Sequence, residues 1–314
     1  MRLLGAVVCV LGGVALAAQG RVNGQLGLHL GDGLVAALIS FVVGTVILGV
    51  AVAVTPSWRA AAPRFTAALR GRTLPPWHCL GGVAGAGFVT AQGLTVPLLG
   101  VALFTVAGVA GQVVSGLLVD RSGFGPGEPR PVTPTRALGA GLAVVAVLVA
   151  VSHELGVSTQ ALWLSLIPAV AGAGIGWAAP ANGLVRAATG SVAFAAFVNF
   201  VVGVAVLLLA CGIDVAVRGL PAPPPTQAWL YLGGLLGIIG MSSGVFAIRH
   251  IGALMLGLCL VAGQVIGAVL LDLFVPTPGT VIPPTTFIGV AITLLAAGVA
   301  AVPSGRRGTA RVRG

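Results

Sequence analysis

Residues 34–54 read LVAALISFVVGTVILGVAVAV without one charged side chain, and runs of this kind follow one another almost to the end of the chain. Such a run is long enough to span a bilayer as a helix, which takes roughly 20 apolar residues for about 30 Å of hydrocarbon. Only 7% of the 314 residues are charged and the mean hydropathy is +1.10. A water-soluble globule needs about 25% charged residues to cover its outside. The medium is therefore lipid, and the 49 glycines, with abundant alanine, suit helices that approach closely within it.

The apolar runs fall near 3–20, 34–54, 78–96, 100–119 and 136–152, and then near 162–180, 191–211, 229–248, 252–272 and 286–302. They predict an all-α membrane protein of ten transmembrane helices. Five lie in residues 1–155 and five in 156–303, followed by a basic tail, 304–314. The two sets repeat each other. NGQLGLHLGDGLVAALISFVVG, Asn23 to Gly44, returns as NGLVRAATGSVAFAAFVNFVVG, Asn182 to Gly203. GQVVSGLLVD, Gly111 to Asp120, returns as GQVIGAVLLD, Gly263 to Asp272. A unit with an odd number of spans ends on the opposite side from its start, so the second copy is expected upside down. Two inverted five-helix repeats of this kind recur in secondary transporters. The first 20 residues have the look of a signal peptide. Their counterpart, LWLSLIPAVAGAGIGWAAPA, lies in mid-chain, so a retained helix is expected.

Sixteen arginines and no lysine give a net charge of +10. With ten spans, fourteen of the arginines fall on the side that holds both termini, and only Arg21 and Arg218 on the other. That is the positive-inside pattern, which predicts a multi-pass plasma-membrane protein with both termini cytoplasmic and gives no reason to expect a nucleic-acid partner. Cys9, Cys79, Cys211 and Cys259 have no metal-ligand or CxxC spacing and read as small buried hydrophobes.

Few residues can carry chemistry. Gln112 and Gln264, each eight residues before an aspartate, fall well inside the membrane. Each is either a substrate-binding amide on a central cavity or an interhelical hydrogen bond worth about 0.6 kcal/mol. Asp120 and Asp272 lie toward opposite faces, where a helix-end or gating role is expected. Asn23 and Asn182, each followed by glycine, read either as the stop of the first helix of each copy or as residues at the cavity mouth, Asn23 together with Gln19. Asn199 stands inside span seven and needs a partner in lipid. Trp177 is the tryptophan away from the span ends that could line a pocket. Gly81-x-x-x-Gly85 and Gly233-x-x-x-Gly237 mark close helix packing. No acid lies in mid-span, no catalytic constellation is present, and no metal or cofactor is expected.

The patterns N-G-x-L-G, A-A-L-I-S-F-V-V-G-T and G-Q-V-V-S-G-L-L-V-D-R-S-G-F-G resemble the YdcZ family, grouped with the drug/metabolite transporter superfamily. The resemblance covers both halves as a fused double copy. It departs from the pattern where Ala178 stands opposite Gln19 and where Leu273-Phe274-Val275 follows the second aspartate. It implies a ten-span inner-membrane carrier and supplies no substrate. Related small multidrug carriers use a first-span glutamate, which is lacking here, so drug–proton exchange is not implied. The expected function is a secondary transporter, ion-driven or facilitative, working by alternating access on a small polar or amphipathic metabolite, with export suggested by the superfamily. The alternatives are a membrane assembly partner or sensor and, third, a membrane enzyme. The expected partners are the bilayer and a small-molecule substrate, with a coupling ion and a homodimer left open.

Overall fold

The structure is a computed structural model describing residues 2–125, 132–155, 160–276 and 283–301, and within these all side chains but those of 153–155, 160–162, 244–246, 248–249, 252–254 and 301. Arg130, the tail 304–314 and the side chains of His153 and Arg249 lie outside the described residues. The helices are α1 (Arg2–Leu30), α2 (Gly33–Val54), α3 (Pro56–Arg59), α4 (Ala61–Arg70), α5 (Gly81–Ser122), α6 (Pro134–Leu155), α7 (Gln160–Thr189), α8 (Val192–Arg218), α9 (Gly233–Phe274) and α10 (Pro284–Ala301). Short 3-10 turns precede α5 and α9 at Pro76–Leu80 and Ala228–Tyr231. Among the described residues, seven helices are long and apolar enough to cross a membrane. The protein is an all-helical membrane protein.

The first helix of each half runs further than its Asn-Gly pair suggests. α1 continues through Asn23 to Leu30, and α7 through Asn182 to Thr189. Both asparagines bond other side chains, so they do not compete for their own backbone. The stops fall instead at Gly31 (φ +66°) and Gly190 (φ +70°), a left-handed conformation that glycine adopts without strain. The next helix starts at once. Asp32 accepts from the N–H of Leu34 (2.8 Å) and of Val35 (3.2 Å), and Ser191 Oγ accepts from the N–H of Phe194 (3.2 Å). These side chains satisfy amides that the first helical turn leaves free.

α5 has 42 residues and would reach about 63 Å if straight, twice the thickness of the hydrocarbon. It is broken at Gly100 (φ +76°, ψ 167°), just after Pro97, which lacks an N–H. The Phe88 and Phe104 ring centroids are 5.3 Å apart, so the legs 81–99 and 101–122 fold back on each other. α9, also 42 residues, returns on itself as well. Gly12 of α1 abuts Ser243 and its neighbour Gly13 abuts Leu260, so both legs of α9 lie beside one turn of α1.

Packing pairs helices from different halves: α1 with α9, α5 with α7, α2 with α8 and α6 with α10. Glycine makes these approaches. A methyl group at Gly13 would overlap the carbonyl of Leu260, and one at Gly172 that of Gly108. Gly44 seats the Phe200 ring and Gly203 the Phe41 ring, the two rings lying 4.9 Å apart. Gly82 lies on the backbone of Asn199 and Gly234 on that of Ser40. Side chains such as Leu11, Val46, Leu98, Leu209 and Val217 are more than half exposed, an apolar outside that suits lipid tails.

Candidate functional site

A cavity of about 390 Å³ opens where α1, α2, both legs of α5, α7, α8 and α9 meet. Phe41, Phe88, Phe104 and Phe200 wall it, and the amides of Gln19, Gln92, Gln112, Asn182, Asn199 and Gln264, with the hydroxyl of Thr105, reach its surface. The repeated helix break shapes it. Because the legs of α5 and α9 return on themselves, Gln112 and Gln264 stand on second legs that face first-leg residues such as Gln92 and Gly237 across the space.

Small residues give the amides room. Gly237 leaves space for the Gln19 amide, whose nitrogen would lie 2.7 Å from a methyl group there, and Gly81 does the same for Asn182, 2.6 Å from its Oδ1. Asn182 Oδ1 accepts from Asn199 Nδ2 at 3.0 Å. Asn23 is fully buried behind the lining and donates from Nδ2 to Gln92 Oε1 at 2.7 Å. Its own Oδ1 and the Ser40 hydroxyl have no hydrogen-bond partner among the described residues. Both point at Gly233, the counterpart of Gly81.

Of the residues read from the sequence, the structure therefore brings Gln112, Gln264, Asn182 and Asn199 to one cavity, with Asn23 just behind it. Trp177 is not among the lining residues. It stacks on Phe124 (centroids 5.7 Å, interplanar 6°), which in turn stacks on Trp77 at 5.2 Å. Gln92, Thr105 and the four phenylalanines carry the site without having been singled out. Gln92 had a signal, an amide in an apolar span like Gln112, and Phe41 and Phe200 are the conspicuous matches of the first repeated stretch.

The two aspartates stand at helix ends in different company. Asp272, at the end of α9, is 6% exposed and accepts from the N–H of Val101 (3.0 Å) and Ala102 (2.7 Å), the first residues of the second leg of α5. The buried Arg21 guanidinium lies close enough for its charge to act on this carboxylate. Asp120, at the end of α5, forms an ion pair with Arg136 at the start of α6. Among the described residues, no three His, Cys, Asp or Glu side chains come together as a metal would need.

A family model described as "Putative inner membrane exporter, YdcZ" matches the chain in two stretches, residues 4–149 and 163–300. The chain belongs to the YdcZ family. The drug/metabolite transporter type to which YdcZ proteins belong is a membrane transporter type, which makes this protein a transporter rather than an enzyme. No individual curated protein matches the chain. Nearly the whole helical bundle lies within the YdcZ match, including every residue that lines the cavity.

Proposed function

We propose that this YdcZ protein is a secondary transporter that carries a small polar or amphipathic metabolite through the central cavity by alternating access, outward across the inner membrane. Counting each leg of α5 and α9 as one pass, the chain makes ten passes. We read them as two inverted five-helix repeats, 1–155 and 156–303, with both termini and the basic tail cytoplasmic. The exchanged packing of α1 with α9 and of α5 with α7 supports this reading, as does the division of the family match into two stretches of similar length. Inverted repeats provide alternating access because exchanging the conformations of the halves moves the opening from one side to the other.

The observation that carries the proposal is the cavity itself, lined from both halves by the repeated Gln112 and Gln264. Asn182 and Asn199 contribute to substrate binding at its wall and Asn23 from behind Gln92. Trp177, next to the lining residue Ala178 in α7, contributes indirectly, by fixing that turn of α7 through its stack on Phe124. In the second leg of α5, residues 101–110 are all buried, whereas 111–117 are partly exposed although several are small. On the ten-pass topology the exposed end is cytoplasmic, so the conformation is open inward. Asp272 then closes the outer end, and Asp120, bound within its own half, is the gate standing open.

Single cysteines at positions 112 and 264, with the four native cysteines replaced, test this in proteoliposomes. A membrane-impermeant maleimide should label both from the cytoplasmic side in the resting protein. A transported solute should shift labelling of both toward the outer side. Labelling that stays on one side under every solute that binds sinks alternating access.

A further inference from the structure

Among the described residues, no Asp, Glu, Lys, Arg or His lines the central cavity. The polar groups that do are neutral, and several make no hydrogen bond to another described residue. Gln19 is 8% exposed, reaches into the cavity and makes no hydrogen bond to any described residue. The amides of Gln112 and Gln264 and the buried hydroxyl of Thr105 are likewise without a partner there, and Asn199 spends only its Nδ2 on Asn182. Asp272, the carboxylate behind the lining residue Val101, is already engaged by two backbone N–H groups and the charge of Arg21. It therefore offers no free counter-charge to a ligand. The remaining wall is aliphatic and aromatic, with the rings of Phe41 and Phe200 in contact and those of Phe88 and Phe104 set edge to face.

Burying an ion here would strip its water without returning an opposite charge. A neutral solute with an apolar body would displace water from the phenylalanines, and its own N–H, hydroxyl and carbonyl groups would replace the water that bonds the lining amides. A phenylalanine face attracts a cation only weakly compared with tryptophan and cannot replace a carboxylate. We infer that the cavity takes an uncharged amphipathic solute with an apolar or aromatic body and amide, carbonyl or hydroxyl edges, and that the loaded carrier moves no net charge. This rests on the transporter reading for the movement, though not for the binding.

A charge-varied trio tests it: N-acetyl-phenylalaninamide (neutral), phenylalaninamide (cation) and N-acetyl-phenylalanine (anion), with the matching leucine and tryptophan trios. Binding to the purified full-length protein is measured by calorimetry, and uptake into proteoliposomes under valinomycin potentials of either sign. In at least one trio the neutral member should bind tenfold or more tighter than both ions, and its uptake should not change with potential. Gln112→Leu should weaken neutral binding about tenfold or more. Gln112→Glu should reverse the preference toward the cation, which a merely misfolded variant cannot do. Tighter binding of either ion, potential-driven uptake, or no binding by any neutral member overturns the inference. Neutral-selective binding with no uptake at any potential leaves the ligand class standing and overturns transport instead.

Discussion

Asp120 and Asp272 end two copies of the same ten-residue motif, yet they do different things. Asp272 is almost wholly buried and reaches across to the other half, holding the first turn of the broken helix at Val101 and Ala102. The Asp120 side chain is 38% exposed and pairs with Arg136 of its own half. The sequence asks the same of both residues, and the difference lies in what surrounds them. A carboxylate that bridges halves can be engaged at one end of the molecule and released at the other. On the alternating-access reading, this contrast between copies is one conformational state seen from its two ends.

The largest effect should come from Asp272→Ala. It leaves two buried N–H groups without an acceptor and Arg21 without its neighbouring charge. Removing one partner of a buried charged arrangement costs about 3–5 kcal/mol. Thermal unfolding in detergent should show a large loss of Tm, partly recovered by Asp272→Asn, whose amide oxygen still accepts one bond. If Asp272→Ala and Asp120→Ala unfold together, the two carboxylates are equivalent after all and the contrast is lost.

Gly100→Ala attacks the same junction from the other side. A φ of +76° with extended ψ is open almost only to glycine and costs another residue about 1–3 kcal/mol. The added carbon would also stand 3.0 Å from Asp272 Oδ2. Part of the penalty should therefore disappear when Asp272 is already alanine. A double-mutant cycle on Tm reads this coupling, and strict additivity would mean that Asp272 does not cap the helix.

The helices were legible because a bilayer allows few alternatives, and the break at Gly100 falls at the join of the apolar runs near 78–96 and 100–119. The second copy added a check no single span provides. Asn23 and Asn182 were harder. As Asn-Gly pairs they signal a stop, but tertiary partners override local propensity, and the stop moved to Gly31 and Gly190. The cap by Asp272 had no local trace, because its partners lie 170 and 171 positions away in the chain. Trp177 shows the limit of exclusion as an argument: standing away from the span ends put it in an aromatic stack, not on the cavity surface.

The asparagines give a finer comparison than the aspartates. Asn23 finds its partner in Gln92 of α5, and Asn182 in Asn199 of α8. The position opposite Asn199 is Ser40, and opposite Gln92 it is Gly244, so each half keeps one amide pair but draws it from a different helix. Interhelical bonds of this kind average about 0.6 kcal/mol in membranes. Asn182→Ala should cost about that much. Asn23→Ala should cost less, since it also removes the buried, unpartnered Oδ1. Chemical unfolding of the two variants side by side checks the order, and the reverse order would mean that Asn23 is satisfied in the native protein.

The smallest effect should be that of Asp120→Asn. Its ion pair with Arg136 is partly exposed, and such pairs contribute about 0–1 kcal/mol, less at high salt. Stability should therefore barely move, while the mutation removes the carboxylate that would bridge the halves when the molecule opens outward. Asp120→Asn alone should keep wild-type Tm and solute binding; combined with the single cysteine at position 112, and with solute raised to offset the lost Gln112 contact, it should stay labelled from the cytoplasmic side when solute is added. Equal loss of Tm and of transport would make Asp120 a structural residue like any other helix-end acid. Loss of transport alone would make it the counterpart of Asp272 in the opposite state.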